Sequence, residues 1–201
     1  MKGSLIIVGF FVLGTLVGAG SLIPARLVAG SGISFYALCA LMFCVGISVG
    51  SDTSVLKRIR SVNPRLMLLP FVTIIGTLAG VSVASSLYPH HGLFSCMAVG
   101  SGFGYYSLSS IFITEYKGAE LGTVALLANV CREIITLLFA PLLVRYFGRL
   151  APISAGGATT MDTTLPIIMR VSGRRYLVLS VFHGFMVDFS VPFLVTFFCM
   201  L

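Results

Sequence analysis

Ala151-Pro-Ile-Ser-Ala-Gly-Gly-Ala-Thr-Thr-Met-Asp-Thr-Thr-Leu-Pro-Ile-Ile-Met169 is as long as a membrane span and is too polar to be one. A hydrocarbon core about 30 Å thick takes about 20 apolar residues as helix. This stretch instead holds Ser154, Gly156, Gly157, Thr159, Thr160, Asp162, Thr163, Thr164 and Pro166, and leaves only Leu165 to Met169 as an apolar piece. Facing lipid, its hydroxyls and freed backbone groups would have no partners, so it belongs at membrane depth only where protein or a water-filled cavity surrounds it. It reads as a broken, re-entrant hairpin.

Outward from that segment the chain is built for a bilayer. Of its 201 residues 57% are hydrophobic and only 9% charged, against about 25% charged in an ordinary globular domain. The net charge of +7 does not indicate nucleic acid, because the cations fall in short gaps between apolar runs and not along one polar face. Five stretches are long and apolar enough to cross: Leu5 to Ile23, Ile33 to Val49, Leu66 to Tyr88, Thr123 to Val144 and Tyr176 to Met200. Met1-Lys2 before the first imitates a signal peptide, but the run continues to Ile23 without a clear small-x-small cleavage site and reads as a span. Cys39, Cys44, Cys96, Cys131 and Cys199 are odd in number, lack CxxC spacing and read as small hydrophobes. Gly14 and Gly18, Gly46 and Gly50, and Gly76 and Gly80 have the spacing of close helix packing.

A second interrupted stretch, Leu93 to Thr114, carries Gly100-Ser-Gly-Phe-Gly104 and then Ser107, Ser109 and Ser110. Positive charge arbitrates the topology. If both interrupted stretches are re-entrant, Lys2, Lys57, Arg58, Arg60, Arg65, Arg145, Arg149, Arg170, Arg174 and Arg175 lie inside and only Arg26 and Lys117 outside, a split of ten to two. If both cross, the split is nine to three, and a single crossing brings it near parity. The expected fold is therefore an all-α polytopic bundle in one domain over 1–201, with about five full spans and two re-entrant hairpins, N-terminus in and C-terminus out. Gly102 to Ser110 and Ala155 to Thr164 are each glycine-rich, then hydroxyl-rich, then briefly apolar, and each precedes a span with an acidic centre. Broken helices in corresponding positions of two halves point to a transporter-like inverted repeat with a site at the midplane.

Ionisable groups inside the membrane cost a few kcal/mol or more and mark function by default. Glu133 is central in Thr123 to Val144, and Arg132 beside it points about 100° away, so each requires a partner on another element. Glu133 reads either as a carboxylate alternating between a proton and a cationic substrate or as part of a buried Arg-Glu network. Asp162, with Thr163 after it, reads as N-cap of the short half-helix that follows; an unwound, hydroxyl-rich turn at a half-helix N-terminus also offers N–H donors to a carboxylate and oxygens to a cation, which suits an amino acid. Ser109 supplies a hydroxyl in the first break. Asp188 is central in the last span and reads as counter-ion of Arg132; His183 reads as a hydrogen-bonded packing residue. Asp52 is an ordinary interfacial carboxylate opposite Lys57 and Arg58, and His90 and His91 an external turn. No GxSxG occurs, and a membrane-embedded hydrolase has no recognisable motif here.

Gly102-Phe-Gly-Tyr-Tyr-Ser-Leu-Ser109, Thr114-Glu115, Ala128-Asn-Val-Cys-Arg-Glu-Ile134, Gly157-Ala-Thr-Thr-Met-Asp-Thr-Thr-Leu-Pro166, His183-Gly-Phe185 and Val191-Pro192 resemble, in order and approximate spacing, the successive motifs of the bacterial lysine exporter (LysO) family. The resemblance implies L-lysine efflux across the inner membrane, with Glu133 and Asp162 as the functional intramembrane carboxylates. Full-length members begin with further spans that this chain lacks, so the resemblance implies a separate small membrane protein or a homo-oligomer as partner. The expected function is a secondary active exporter of L-lysine or a close cationic amino acid, coupled to inward H⁺ or Na⁺. It needs no cofactor and no metal. Its rival is a non-transporting scaffold subunit of a larger complex.

Overall fold

The structure, a computed structural model, describes residues 65–87 and 91–201 together with scattered positions between Leu13 and Ile47. The first two expected spans are therefore almost wholly outside the described residues, as are Lys2, Asp52, the Lys57 to Arg60 loop and His90. The chain divides into two compact units, 1–53 and 54–201. The second carries the features below.

Every regular element among the described residues is helical. Helix α1 is Leu69–Ser85 and follows a 3-10 turn at Leu66–Leu68; Pro70 sits in its first turn, where the missing N–H has no helical partner to lose. Two short helices follow, α2 (Leu93–Gly100) and α3 (Tyr106–Lys117), then the long α4 (Ala119–Phe147). The polar stretch forms α5 (Ala151–Gly156), a 3-10 turn (Gly157–Met161) and α6 (Leu165–Ser172). After a second 3-10 turn at Arg174–Tyr176, α7 runs Leu177–Met200.

Among the described residues three helical stretches are long and apolar enough to cross a membrane: Leu66–Ser85, Ala119–Phe147 and Arg174–Met200, with mean hydropathies of 2.2, 1.8 and 1.7. They display Phe71, Ile75 and Val83 on α1, Leu127, Ile135 and Leu138 on α4, and Phe189, Phe193 and Phe197 on α7, all exposed. Water penalises apolar patches of that extent; lipid solvates them. Helix α4 outruns the expected Thr123 to Val144 because polar turns extend it at both ends, to a length of about 43 Å at 1.5 Å per residue.

The interrupted stretches behave differently. Helices α5 and α6, about 9 and 12 Å long, are each too short to cross. Ile153 before the break and Ile168 after it share one buried cluster with Leu179, against which Leu66, Leu69 and Tyr176 pack. The segment therefore doubles back on itself. Helices α2 and α3 both pack on α4, and a Cβ at Gly122 of α4 would collide with Thr114 of α3. At the expected packing pair Gly76 and Gly80, nothing among the described residues lies within 4 Å of a Cβ built at either. Helix α1 approaches α2 closely at Gly100, where an added Cβ would come within 2.7 Å of Val81.

Candidate functional site

The two helix breaks meet back to back. The Ala158 N–H donates to the Phe103 carbonyl at 2.9 Å, and Gly157 faces that same oxygen so closely that no side chain fits. Gly157 also lies at φ +63°, which favours a residue without Cβ. Phe103 is fully buried at φ 45°, a conformation bulky residues rarely hold unless their surroundings impose it.

The surroundings are side chains of α4 and α7. Asn129 Oδ1 accepts from the Gly104 N–H at 2.7 Å, and its Nδ2 donates to the Ala125 carbonyl at 2.8 Å and to Ser109 Oγ at 3.4 Å. One turn on, Arg132 Nε donates to the Ala155 carbonyl at 2.8 Å and Nη2 to that of Ser154 at 3.0 Å, while the guanidinium lies 5.8 Å from the centre of the Phe103 ring. These carbonyls end α5, where a helix leaves its last acceptors without internal partners; a cation is the favourable group there. From the other side, His183 of α7 is fully buried between Thr73 of α1 and Thr160 of the second break, at 3.0 and 3.3 Å. The Thr160 hydroxyl already donates to the carbonyls of Gly157 and Ser180. Nδ1 of His183 therefore donates to Thr160, while Nε2 pairs with the Thr73 hydroxyl. Gly184 lets α7 close on this turn, since a Cβ there would lie 2.7 Å from the Met161 nitrogen.

Beside the joint is a cavity of about 240 Å³ lined by Gly104, Tyr105, Tyr106, Ser107, Glu133, Ala158, Thr159, Met161, Asp162, Thr163 and Asp188. Glu133 is fourteen residues from either end of α4, and Asp188 sits at the middle of α7. Three carboxylates from three elements thus face one space. Glu133 and Asp188 have no side-chain hydrogen bond or ion pair among the described residues, and Asp162 accepts only from Thr163. The first turn of α3 opens on the same cavity and has no side-chain cap, so its N–H groups are available to an anion. Among the described residues the acidic groups do not gather into a metal cage.

The structure brings together four of the six residues singled out from sequence: Glu133, Asp162, Asp188 and Thr163. Arg132 and Ser109 stand outside the cavity wall, Arg132 on the carbonyls and Ser109 donating to the Tyr105 carbonyl at 2.8 Å. Two readings are corrected. Asp188 is not the counter-ion of Arg132: the guanidinium donates to the carbonyls of Ser154 and Ala155, and no ion pair joins it to Asp188. Asp162 is not the N-cap of α6: that position is Thr164, two residues later, with its hydroxyl 3.2 Å from that of Thr159. The reading of His183 as a hydrogen-bonded packing residue agrees with its partners. Sequence reasoning passed over Tyr105, Asn129 and Thr160. Asn129 carried a usable signal, being a polar residue one turn before Arg132 and Glu133 in an apolar span.

Fold and site together define an all-helical membrane protein in which two interrupted segments meet between long apolar helices. Residues 8–199 match the family model described as lysine exporter LysO, and the chain belongs to that family, which is one of transporters and not of enzymes. It is 34% identical over 195 residues to the lysine exporter LysO of Escherichia coli (strain K12), covering 97% of this chain and 64% of that protein. It is 32% identical over 168 residues to a Haemophilus influenzae protein named provisionally as a lysine exporter, covering 84% of this chain and 85% of that one. No solved structure matches.

Proposed function

We propose that this chain is a secondary carrier of the bacterial inner membrane that expels L-lysine, or a close cationic amino acid, in exchange for an inward proton or sodium ion. One observation carries the reading: Glu133, Asp162 and Asp188 line a single cavity at the meeting of two helix breaks, and no cation among the described residues is paired with them. Lysine has two ammonium groups for such carboxylates and one carboxylate for the uncapped turn of α3. At about 240 Å³ the cavity is below the ~300–1,000 Å³ of drug-sized pockets, which suits an amino acid. The names of the relatives point to the same substrate.

Expelling a monocation against an inside-negative potential costs about 2.3 kcal/mol per 100 mV, so an inward cation has to drive it. Carboxylates that hold either the substrate ammonium or the coupling ion, but not both, prevent leak. On this reading 1–201 works as one membrane domain with its N-terminus inside and C-terminus outside, and its two hairpins enter from opposite faces as an inverted repeat.

The test is counterflow of labelled lysine in proteoliposomes. Wild-type protein exchanges lysine, whereas Glu133→Gln inserts and folds without exchanging it. Full exchange by a variant carrying both Glu133→Gln and Asp162→Asn would remove these carboxylates from the mechanism, and absence of exchange by the wild type would discard the carrier reading in favour of a scaffold subunit.

A further inference from the structure

Arg132 is next to the proposed transport carboxylate in sequence, yet it turns away from the cavity. We propose that Arg132 is a positioning residue: with Asn129 it fastens both helix breaks to α4, and so sets Tyr105 and Asp162 opposite Glu133. This rests on the carrier reading only for its transport readout.

The division of labour follows from the contacts. Asn129 holds the first break through the Gly104 N–H at 2.7 Å. Arg132 holds the second through the carbonyls of Ser154 and Ala155 at 3.0 and 2.8 Å, and stacks on Phe103 of the first. Its Nη2 also reaches Thr77 of α1 at 3.5 Å. One side chain thus contacts both breaks and two spans. Residues 129 and 132 lie on one face of α4, and Glu133, the next residue, projects into the cavity, so any slip of either break relative to α4 changes the spacing of the acidic groups. A planar fork serves two carbonyls and a ring at once; an ammonium does not. Arg132→Lys therefore keeps the charge and loses the fastening.

The direct test measures the spacing of the breaks without transport. In full-length protein lacking its native cysteines, spin labels replace Ile111 on α3 and Arg170 on α6, both exposed and outside the cavity wall. Pulsed dipolar spectroscopy should give a narrow distance distribution for otherwise unchanged protein, a broadened one for Arg132→Lys, and a narrow one for Glu133→Gln. Lysine counterflow measured without labels should fall by about 100-fold in Arg132→Lys, the scale expected of a 1 Å misplacement. An unbroadened Arg132→Lys overturns the proposal, whether counterflow is kept or lost; loss without broadening would assign the guanidinium a direct role in binding. If Arg132→Lys fails to fold, Asn129→Ser, which frees the Gly104 N–H, has to broaden the same distance, and a narrow result for it counts equally against the proposal. Absence of lysine exchange by the wild type would sink the carrier reading and leave the distance result standing.

Discussion

The joint between the breaks and the cavity beside it are built from the same short stretches of chain, and they treat polar groups in opposite ways. In the joint, Asn129, Arg132, Thr160 and His183 all have partners, among them the Gly104 N–H and the carbonyls of Ser154, Ala155 and Gly157 at the breaks. In the cavity, Glu133 and Asp188 have none among the described residues. An unpartnered buried polar group costs stability, so the difference separates groups that hold the fold from groups kept ready for something that arrives. Arg132 and Glu133, adjacent in sequence, fall on opposite sides of that division.

Substitutions can break or sharpen the contrast, and their effect on stability should decline in a set order. Gly157→Ala forces a Cβ onto the Phe103 carbonyl at a positive φ, and should cost roughly 3 kcal/mol or more in detergent unfolding, with little folded protein recovered. Arg132→Met removes the donors to two carbonyls. A stranded acceptor costs about 1–3 kcal/mol, so a clear fall in melting temperature is expected alongside the lost transport. Thr73→Val takes away the hydroxyl that serves His183 Nε2, and interhelical hydrogen bonds in membranes average about 0.6 kcal/mol. Its melting temperature should drop slightly and lysine exchange should persist.

Glu133→Gln is the smallest of the series in stability, within about 0.5 kcal/mol of wild type, because no partner is stranded. Its exchange should nevertheless vanish. Were its unfolding shifted as far as that of Arg132→Met, Glu133 would belong to the joint and the contrast would collapse.

Much of this was open to a reading of the sequence, and for a definite reason. Hydropathy, length and the clash between polar content and lipid are local properties that add along the chain. They sufficed to class the protein as a helical membrane protein, to find three of its long apolar helices, to mark Ala151 to Met169 as an interrupted segment, and to put Glu133 and Asp188 at the centres of their helices. Partnership is not local. Which cation meets which anion depends on rotation about each helix axis and on where a chain that doubles back comes to rest. Only the tertiary structure could therefore take Arg132 from Asp188 and give it to the carbonyls ending α5, move the cap of α6 from Asp162 to Thr164, and gather three carboxylates from three elements around one cavity. A broken helix leaves backbone acceptors that outcompete a distant carboxylate for the nearest guanidinium, and no spacing along the sequence reports that competition.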